Sequence, residues 1–256
     1  MVKSLDRLFF LVVFCLGLSC WCTAQEQRVY DNDHPVLLAT ITGGVSWPGA
    51  DMAKRFDRNL SVGLAPEWIT KNNWIFGVDY QFHFGRFVRE DVIANLRTPD
   101  GLIVGNTRSF AAIVLRQRGF YAGAHVAKLI NLDPNSNRSG LRLGVGMGLL
   151  QHKIRIQDDP ESFVPSLDET YKKGYDRLTN GLAFQQFVGY QLLSSNRLIN
   201  FYLGFEFTQG FTQNRRSFNF DTRTADTAKR LDLLYAIKIG WSLPFYIGES
   251  GEEIFY

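Results

Sequence analysis

The sequence predicts an all-β fold, an eight-stranded antiparallel up-and-down transmembrane β-barrel. Three observations carry that reading. Apolar residues alternate with small or polar ones at a period of two through most of the chain, as they do in strands whose successive side chains point to opposite faces. Short polar connections alternate strictly with long ones, which places every short one at the same end of the sheet. The face opposite the aromatics is repeatedly glycine, a poor coat against water but a good filling for a narrow barrel.

The chain of 256 residues opens with Lys3 and Arg7, an apolar run from Leu8 to Cys22, and Thr23-Ala24 before Gln25. That pattern is a secretory signal peptide, residues 1–24, cut after Ala24. The run falls short of the ~18–20 apolar residues a spanning helix needs. A lipoprotein cut before Cys20 would want a Leu three residues earlier, where Gly17 stands. Cys15, Cys20 and Cys22 all leave with the signal, so the exported chain is expected to hold no disulfide, thiolate nucleophile or cysteine-bound metal. The whole sequence carries a formal net charge of +3, and the exported part is near neutral, so nothing argues for nucleic acid. No long apolar run follows the signal. A membrane-embedded chain would therefore have to cross by strands.

The elements follow in order. After a segment 25–34, a barrel is expected over 35–247. Val36–Trp47 sets Leu37, Ala39, Ile41, Val45 and Trp47 against Thr40, Thr42, Gly44 and Ser46. Asn59–Trp68 sets Leu60, Val62, Leu64 and Trp68 against Ser61, Gly63, Ala65 and Glu67. WIFGVDYQFHFGRF, from Trp74, sets Phe76, Val78, Tyr80, Phe82 and Phe84 against Gly77, Asp79, Gln81 and His83, with Ile75 as an exception. The fourth strand, about Arg108 to Leu129, shifts phase around Arg116 and Arg118. A bulge near Gly119 is the favoured explanation, ahead of a turn there. Leu141–Leu149 faces Arg142, Gly144, Gly146 and Gly148. Leu182–Leu192, Ile199–Phe207 and Leu231–Phe245 complete the count.

Thr70–Asn73, Asn131–Arg138 and Ser194–Arg197 are short and turn-rich; the long connections are 48–58, 88–107, 157–177 and 213–230. Short turns at one side and long loops at the other are the habit of outer-membrane barrels, with an even strand count. Which face is inside follows from volume. An eight-stranded barrel has room only for side chains or one small ligand, so dozens of aromatic and Leu side chains cannot all turn inward. They face lipid, with Trp47, Trp68, Trp74 and Trp241 near strand ends as interfacial girdles. A lipocalin-like soluble barrel is the rival.

The interior is then expected to hold Glu67, Asp79, His83, His125, Arg142, Glu206, Asp232 and Lys238. Glu206 and Lys238 each lie seven residues from the turn end of their strands, so a Glu206–Lys238 salt bridge is expected. Barrel filling is the favoured role of these charges over a proton relay or gated pore. Catalysis is not indicated. His34, His83, His125 and His152 lack a nucleophile partner in sequence, and His152 reads with Lys153 and Arg155 as an outer-rim patch. No nucleophile elbow, metal spacing or phosphate loop occurs, and no cofactor is expected. Asp158, Asp159 and Glu161 could hold calcium, though solvated loop acids are the favoured reading. In the loops, Arg215, Arg216, Phe218, Phe220 and Arg223 interleave charge with aromatic rings, as do Tyr171, Lys172, Lys173 and Tyr175. Such patches suit a protein partner or lipopolysaccharide phosphates. The acidic tail 248–256 ends on Phe255-Tyr256, a candidate periplasmic docking tip.

The stretches GLLQHKIRI, YKKGYDRLTNGLA, RLINFYLGFEFTQGFTQNRRSFNFDTR and KRLDLLYAIKIGW resemble a family of small outer-membrane β-barrel proteins of Bacteroidota, over essentially the whole exported chain. The resemblance implies the barrel fold and no catalytic residues. By analogy with other small barrels of such bacteria it implies an accessory subunit of a larger outer-membrane assembly or secretion machine. A lipid A-remodelling enzyme and a stand-alone adhesin or ligand binder are the alternatives. The partners expected are outer-membrane lipid, lipopolysaccharide and other envelope proteins.

Overall fold

A computed structural model describes residues 34–106, 109–132, 138–159, 162–194 and 200–246. The expected signal peptide and the tail with Phe255 and Tyr256 lie outside the described residues.

Eight long strands close into one barrel. They are β1 (Val36–Gly49), β2 (Asn59–Ile69), β3 (Trp74–Gly85), β6 (Val114–Asn131), β7 (Gly140–Gln157), β8 (Thr179–Leu193), β9 (Asn200–Asn214) and β10 (Lys229–Tyr246). Each pairs antiparallel with its neighbour in the ring, and β1 closes the barrel on β10. Two two-residue strands, β4 (Ile103–Val104) and β5 (Phe110–Ala111), form a separate hairpin in the second long loop. Helices α1 (Ala50–Arg55) and α2 (Glu169–Tyr175) lie in the first and third. Asp168 caps α2 by accepting from the Thr170 and Tyr171 N–H groups at 2.9 and 2.8 Å.

Burial confirms which face is which. Ile41, Leu64, Val78, Val145 and Ile239 are exposed on the outside of the wall, whereas Thr42, Glu67, Asp79, Arg142 and Lys238 are buried inside it. Polar residues inside and apolar ones outside are the inverse of a soluble barrel and the pattern of one surrounded by lipid. The glycines permit the narrow bore. Gly148 pairs with Gly123, and a Cβ on Gly148 would stand 2.3 Å from the Ala122 carbonyl oxygen.

At the short-turn end, Asn73 takes a left-handed backbone with φ 59°, and its N–H donates to the Thr70 carbonyl at 3.0 Å. Asn tolerates that conformation better than most residues. Arg138 ties this end together, donating to the Thr70 and His34 carbonyls, both at 2.7 Å, and to Asn73 Oδ1 at 2.9 Å.

Two expectations need correction. The pairings of β6 with β3 and with β7 run through Gly119 without a skipped residue, so there is neither a bulge nor a turn there. The fourth barrel strand starts at Val114, and Phe110–Ala111 belongs to the small hairpin. What changes near Arg116 and Arg118 is the surroundings and not the backbone. On β7, Leu143, Val145, Met147 and Leu149 face outward and are apolar. Further up, Lys153 and Arg155 face outward, and Leu150, Ile154 and Ile156 are buried inside. The wall passes from lipid to water between Leu149 and Lys153, and the apolar set crosses to the interior.

An arginine at the middle of the apolar belt should cost ~2–4 kcal/mol, and one in an aqueous loop close to nothing. Val145→Arg is therefore expected to lower stability in lipid vesicles by that amount, with Phe163→Arg as the near-neutral control. Urea unfolding in vesicles measures both, and equal costs would show that Val145 does not face lipid.

Candidate functional site: the charged interior and the loop cap

Strand alternation delivers charged side chains to the bore in three groups. Nearest the short turns, Arg142 on β7 donates to both carboxylate oxygens of Glu67 on β2. It also donates to Gln191 Oε1 at 3.1 Å, and its guanidinium lies 4.6 Å from the Tyr202 ring. His125 Nε2 is 3.0 Å from Glu67 Oε1. A planar guanidinium suits this place because it can pair with a carboxylate in two bonds while stacking on a ring.

The middle group is centred on Lys238 of β10. Its ammonium donates to Glu206 of β9 at 2.8 Å and to Asp79 of β3 across the bore. Gln81 Nε2 donates to Asp79 at 2.8 Å and to Glu206 at 3.1 Å, so both carboxylates share the same donors. Glu206 does not stand level with Lys238: it pairs in register with Ala236, and Lys238 with Gly204. The ion pair is diagonal, which brings the ammonium within reach of Asp79. Sequence reasoning put Asp79 in the interior but could not see this contact, because only the curvature of the closed barrel brings β3 to β10.

The third group lies under the long loops. His152 Nε2 is 2.8 Å from Asp232 Oδ2, and Thr212 also donates to that oxygen. His152 is buried inside the wall, with Phe56 edge-on at 5.4 Å, and does not belong to a surface patch as expected. Alternation continues unbroken at this height, so His152 points inward while its sequence neighbour Lys153 points outward.

Apolar side chains close both ends. Val36, Leu38, Ile69, Ile75, Ala127, Leu129 and Leu193 meet inside the short-turn end. Ile75, the exception in its stretch, is inward as part of this seal. At the other end Met52, Phe56, Val92, Ile93, Ile103, Leu167 and Tyr175 come from the loops and pack on Tyr121, Leu150, Ile154 and Leu234 of the wall. Between the seals, a cavity of about 20 Å³ lies beside Glu67, Arg142, Tyr202 and Lys238. That is space for about one water.

The loop residues singled out in the sequence divide into two sets. Arg216 pairs with Asp176 at 2.6 Å, and that hydrogen bond holds its guanidinium above its ordinary pKa. Lys172 pairs with Asp158 and Glu169. Tyr175 is buried, and Phe220 packs edge-on against it at 5.5 Å with its N–H donating to the Gly174 carbonyl. Arg215 donates to Asn180 on the neighbouring strand. These side chains join loop to loop or loop to wall. Tyr171, Lys173, Phe218 and Arg223 remain exposed, Arg223 on a left-handed backbone with φ 52°. Phe218 and Phe220 are thus not a matched exposed pair. Asp158 is taken by Lys172, and Asp159 accepts from the Ala112 N–H; Glu161 lies outside the described residues.

No protein-family model matches the chain, and no curated protein does. Among solved structures it is similar to Ail, the attachment invasion locus protein of Yersinia pestis, in complex with the heparin analogue sucrose octasulfate. Identity is 11% and the TM-score 0.43, over 82% of this chain and 99% of that one. It is also similar to the outer membrane protein OprG of Pseudomonas aeruginosa, at 14% identity and a TM-score of 0.36, over 84% of this chain and 97% of the other. The N-terminal β-barrel domain of OprF from the same organism gives 10% and 0.36, over 80% and 96%.

Removing one partner from a buried ion pair typically costs ~3–5 kcal/mol, because the other charge is stranded. Lys238→Met is expected to destabilise the barrel by that amount in urea titrations. Adding Asp79→Asn and Glu206→Gln should recover most of it. A triple variant no more stable than Lys238→Met would mean that the stranded carboxylates are not the source of the loss.

Proposed function

We propose that this protein is an outer-membrane β-barrel with no enzymatic role, acting as a structural or accessory subunit of a larger assembly in the bacterial envelope. The short-turn end then faces the periplasm and the loop end the outside. A bore filled with ion pairs and sealed at both ends leaves contact surfaces as the places where the protein can act.

The observation that carries the reading is an exposed apolar cluster on the loops, beyond the lipid belt. In the β4–β5 hairpin, Ile103 and Ala111 turn into the core of the cap, which leaves Val104 and Phe110 outward as a cross-strand pair. The loop that carries Phe163 lies beside this hairpin, since the Asn106 N–H donates to the Phe163 carbonyl at 2.9 Å and the Ser109 and Ser162 hydroxyls are 3.1 Å apart. Phe110 is 61% exposed and Phe163 57%. Large apolar side chains grouped in the aqueous phase mark a surface that a partner covers. Tyr171 and Phe218 add aromatic area elsewhere on the loops, of the kind protein interfaces favour.

The test is crosslinking in intact cells followed by mass spectrometry, with the wild type compared to Phe110→Ser/Phe163→Ser. The wild type is expected to capture one or more envelope proteins, and the variant to capture them at a several-fold lower yield while folding normally. A wild type that captures no protein sinks the accessory reading.

A further inference from the structure

Among the described residues, two sets of cations near the loop end contrast with each other. In the loop cap Arg55, Lys172, Arg177, Arg216 and Arg230 each face a carboxylate. On the outer surface of the wall a second set does not. Arg58 directly precedes β2, Arg86 follows β3, Arg116 and Arg118 lie on β6, and Lys153 and Arg155 on β7. Among the described residues none of these six has an ion pair. Arg116 donates to the Gln157 side chain at 2.7 Å and Arg118 to the Gln117 carbonyl at 2.7 Å. Asp57, next in sequence to Arg58, accepts from the Arg58 N–H and from Arg89.

Register lines the six up. Arg116 pairs with Arg155 and Arg118 with Lys153. Gly85 pairs with Gln117 and Leu60 with Phe84, which sets Arg86 beside Arg116 and Arg58 beside Arg86. Arg58, Arg86, Arg116 and Arg155 therefore form one row across four adjacent strands, about 14 Å wide at the usual strand spacing. One step towards the short-turn end come Leu60, Phe84, Arg118 and Lys153, and one step further Val62, Phe82 and Phe120. The row sits at the height where the wall leaves the apolar belt. A groove of about 530 Å³ opens there, with Arg58, Arg86 and Arg116 above Leu60, Phe84 and Arg118.

Like charges set side by side across adjacent strands, such as Arg116 with Arg155 and Arg118 with Lys153, draw an anion, and the forked donors of the guanidinium groups match phosphate oxygens. The apolar surface continuing downward from the same groove suits acyl chains. We propose that this sector binds the phosphates of a phosphorylated glycolipid of the outer leaflet, with its acyl chains along Leu60, Val62, Phe82 and Phe84. The proposal rests on the outer-membrane reading above and is independent of any protein partner. It differs from the loop patches around Arg215 and Tyr171, several of whose side chains are committed to internal contacts.

The test is native mass spectrometry of the whole exported protein, purified in detergent and titrated with bis-phosphorylated lipid A or its dephosphorylated form. The wild type is expected to retain the phosphorylated lipid at least about tenfold better, the scale of one or two charge-assisted contacts. R116Q/R118Q/R155Q should lose that preference, and K229Q, on the opposite sector, should keep it. R58Q/R86Q lies outside the paired strands and should weaken retention with the barrel intact. Equal retention of both lipids by the wild type would overturn the site, as would full retention by both multiple variants. Displacement of the lipid by an equal concentration of inorganic phosphate would overturn it too, since that marks a free-anion site. Protein crosslinking plays no part in this readout, so failure here leaves the accessory reading standing.

Discussion

A sheet edge in hydrocarbon has no water to satisfy its N–H and C=O groups, so the pairing of β1 with β10 is the contact on which everything else depends. Closing eight strands on themselves sets a bore that only side chains can fill. Because lipid takes the apolar residues outside, the bore receives the polar ones, and burial then forces every charge to find a partner. Arg142 with Glu67, Lys238 with Asp79 and Glu206, and His152 with Asp232 each answer that demand. The ion pairs are thus a consequence of closure and solvent, and they do not by themselves signal chemistry.

Most of the wall was legible in the sequence because lipid imposes one rule on it: apolar outside, small or polar inside, at a period of two. The rule covers Leu141–Leu149 and correctly turns WIFGVDYQFHFGRF outward by its aromatics. It fails where the solvent changes. Above Leu149 the strand continues to Gln157 with its backbone phase intact, but its apolar residues now point inward to the cap. A reader following hydrophobicity alone sees an ending on β7 and a bulge on β6, where the structure has two uninterrupted strands of 18 residues.

The interior contacts were legible only in part. Inward orientation follows from alternation, so Glu206 and Lys238 could be placed in the bore, on neighbouring strands. Asp79 and Lys238 sit on strands that are not neighbours, and their contact depends on the diameter of the ring, which no local pattern encodes. The loops were least legible. Arg216, Lys172, Tyr175 and Phe220 have the composition of an interface, yet they are joined to one another and to the wall, because a long loop over a narrow barrel must find its own core. Of the apolar residues that stay exposed, Val104 and Phe110 stand in a hairpin too short to give a periodic signal, and Phe163 stands in a separate loop with none.

The contact between Lys238 and Asp79, 159 residues apart, also constrains how the chain can enter a membrane. Until β3 and β10 belong to one closed ring, the ammonium has no carboxylate from β3 to meet, and an open sheet would turn it towards hydrocarbon or hold it back in water. Each terminal strand waits on the other as well, since Val36 pairs with Tyr246. Contacts so distant in sequence slow folding, because the chain must be ordered before they repay the cost. The interior ion pair and the pairing of the terminal strands are therefore both completed only when β10, the last strand, takes its place in the ring.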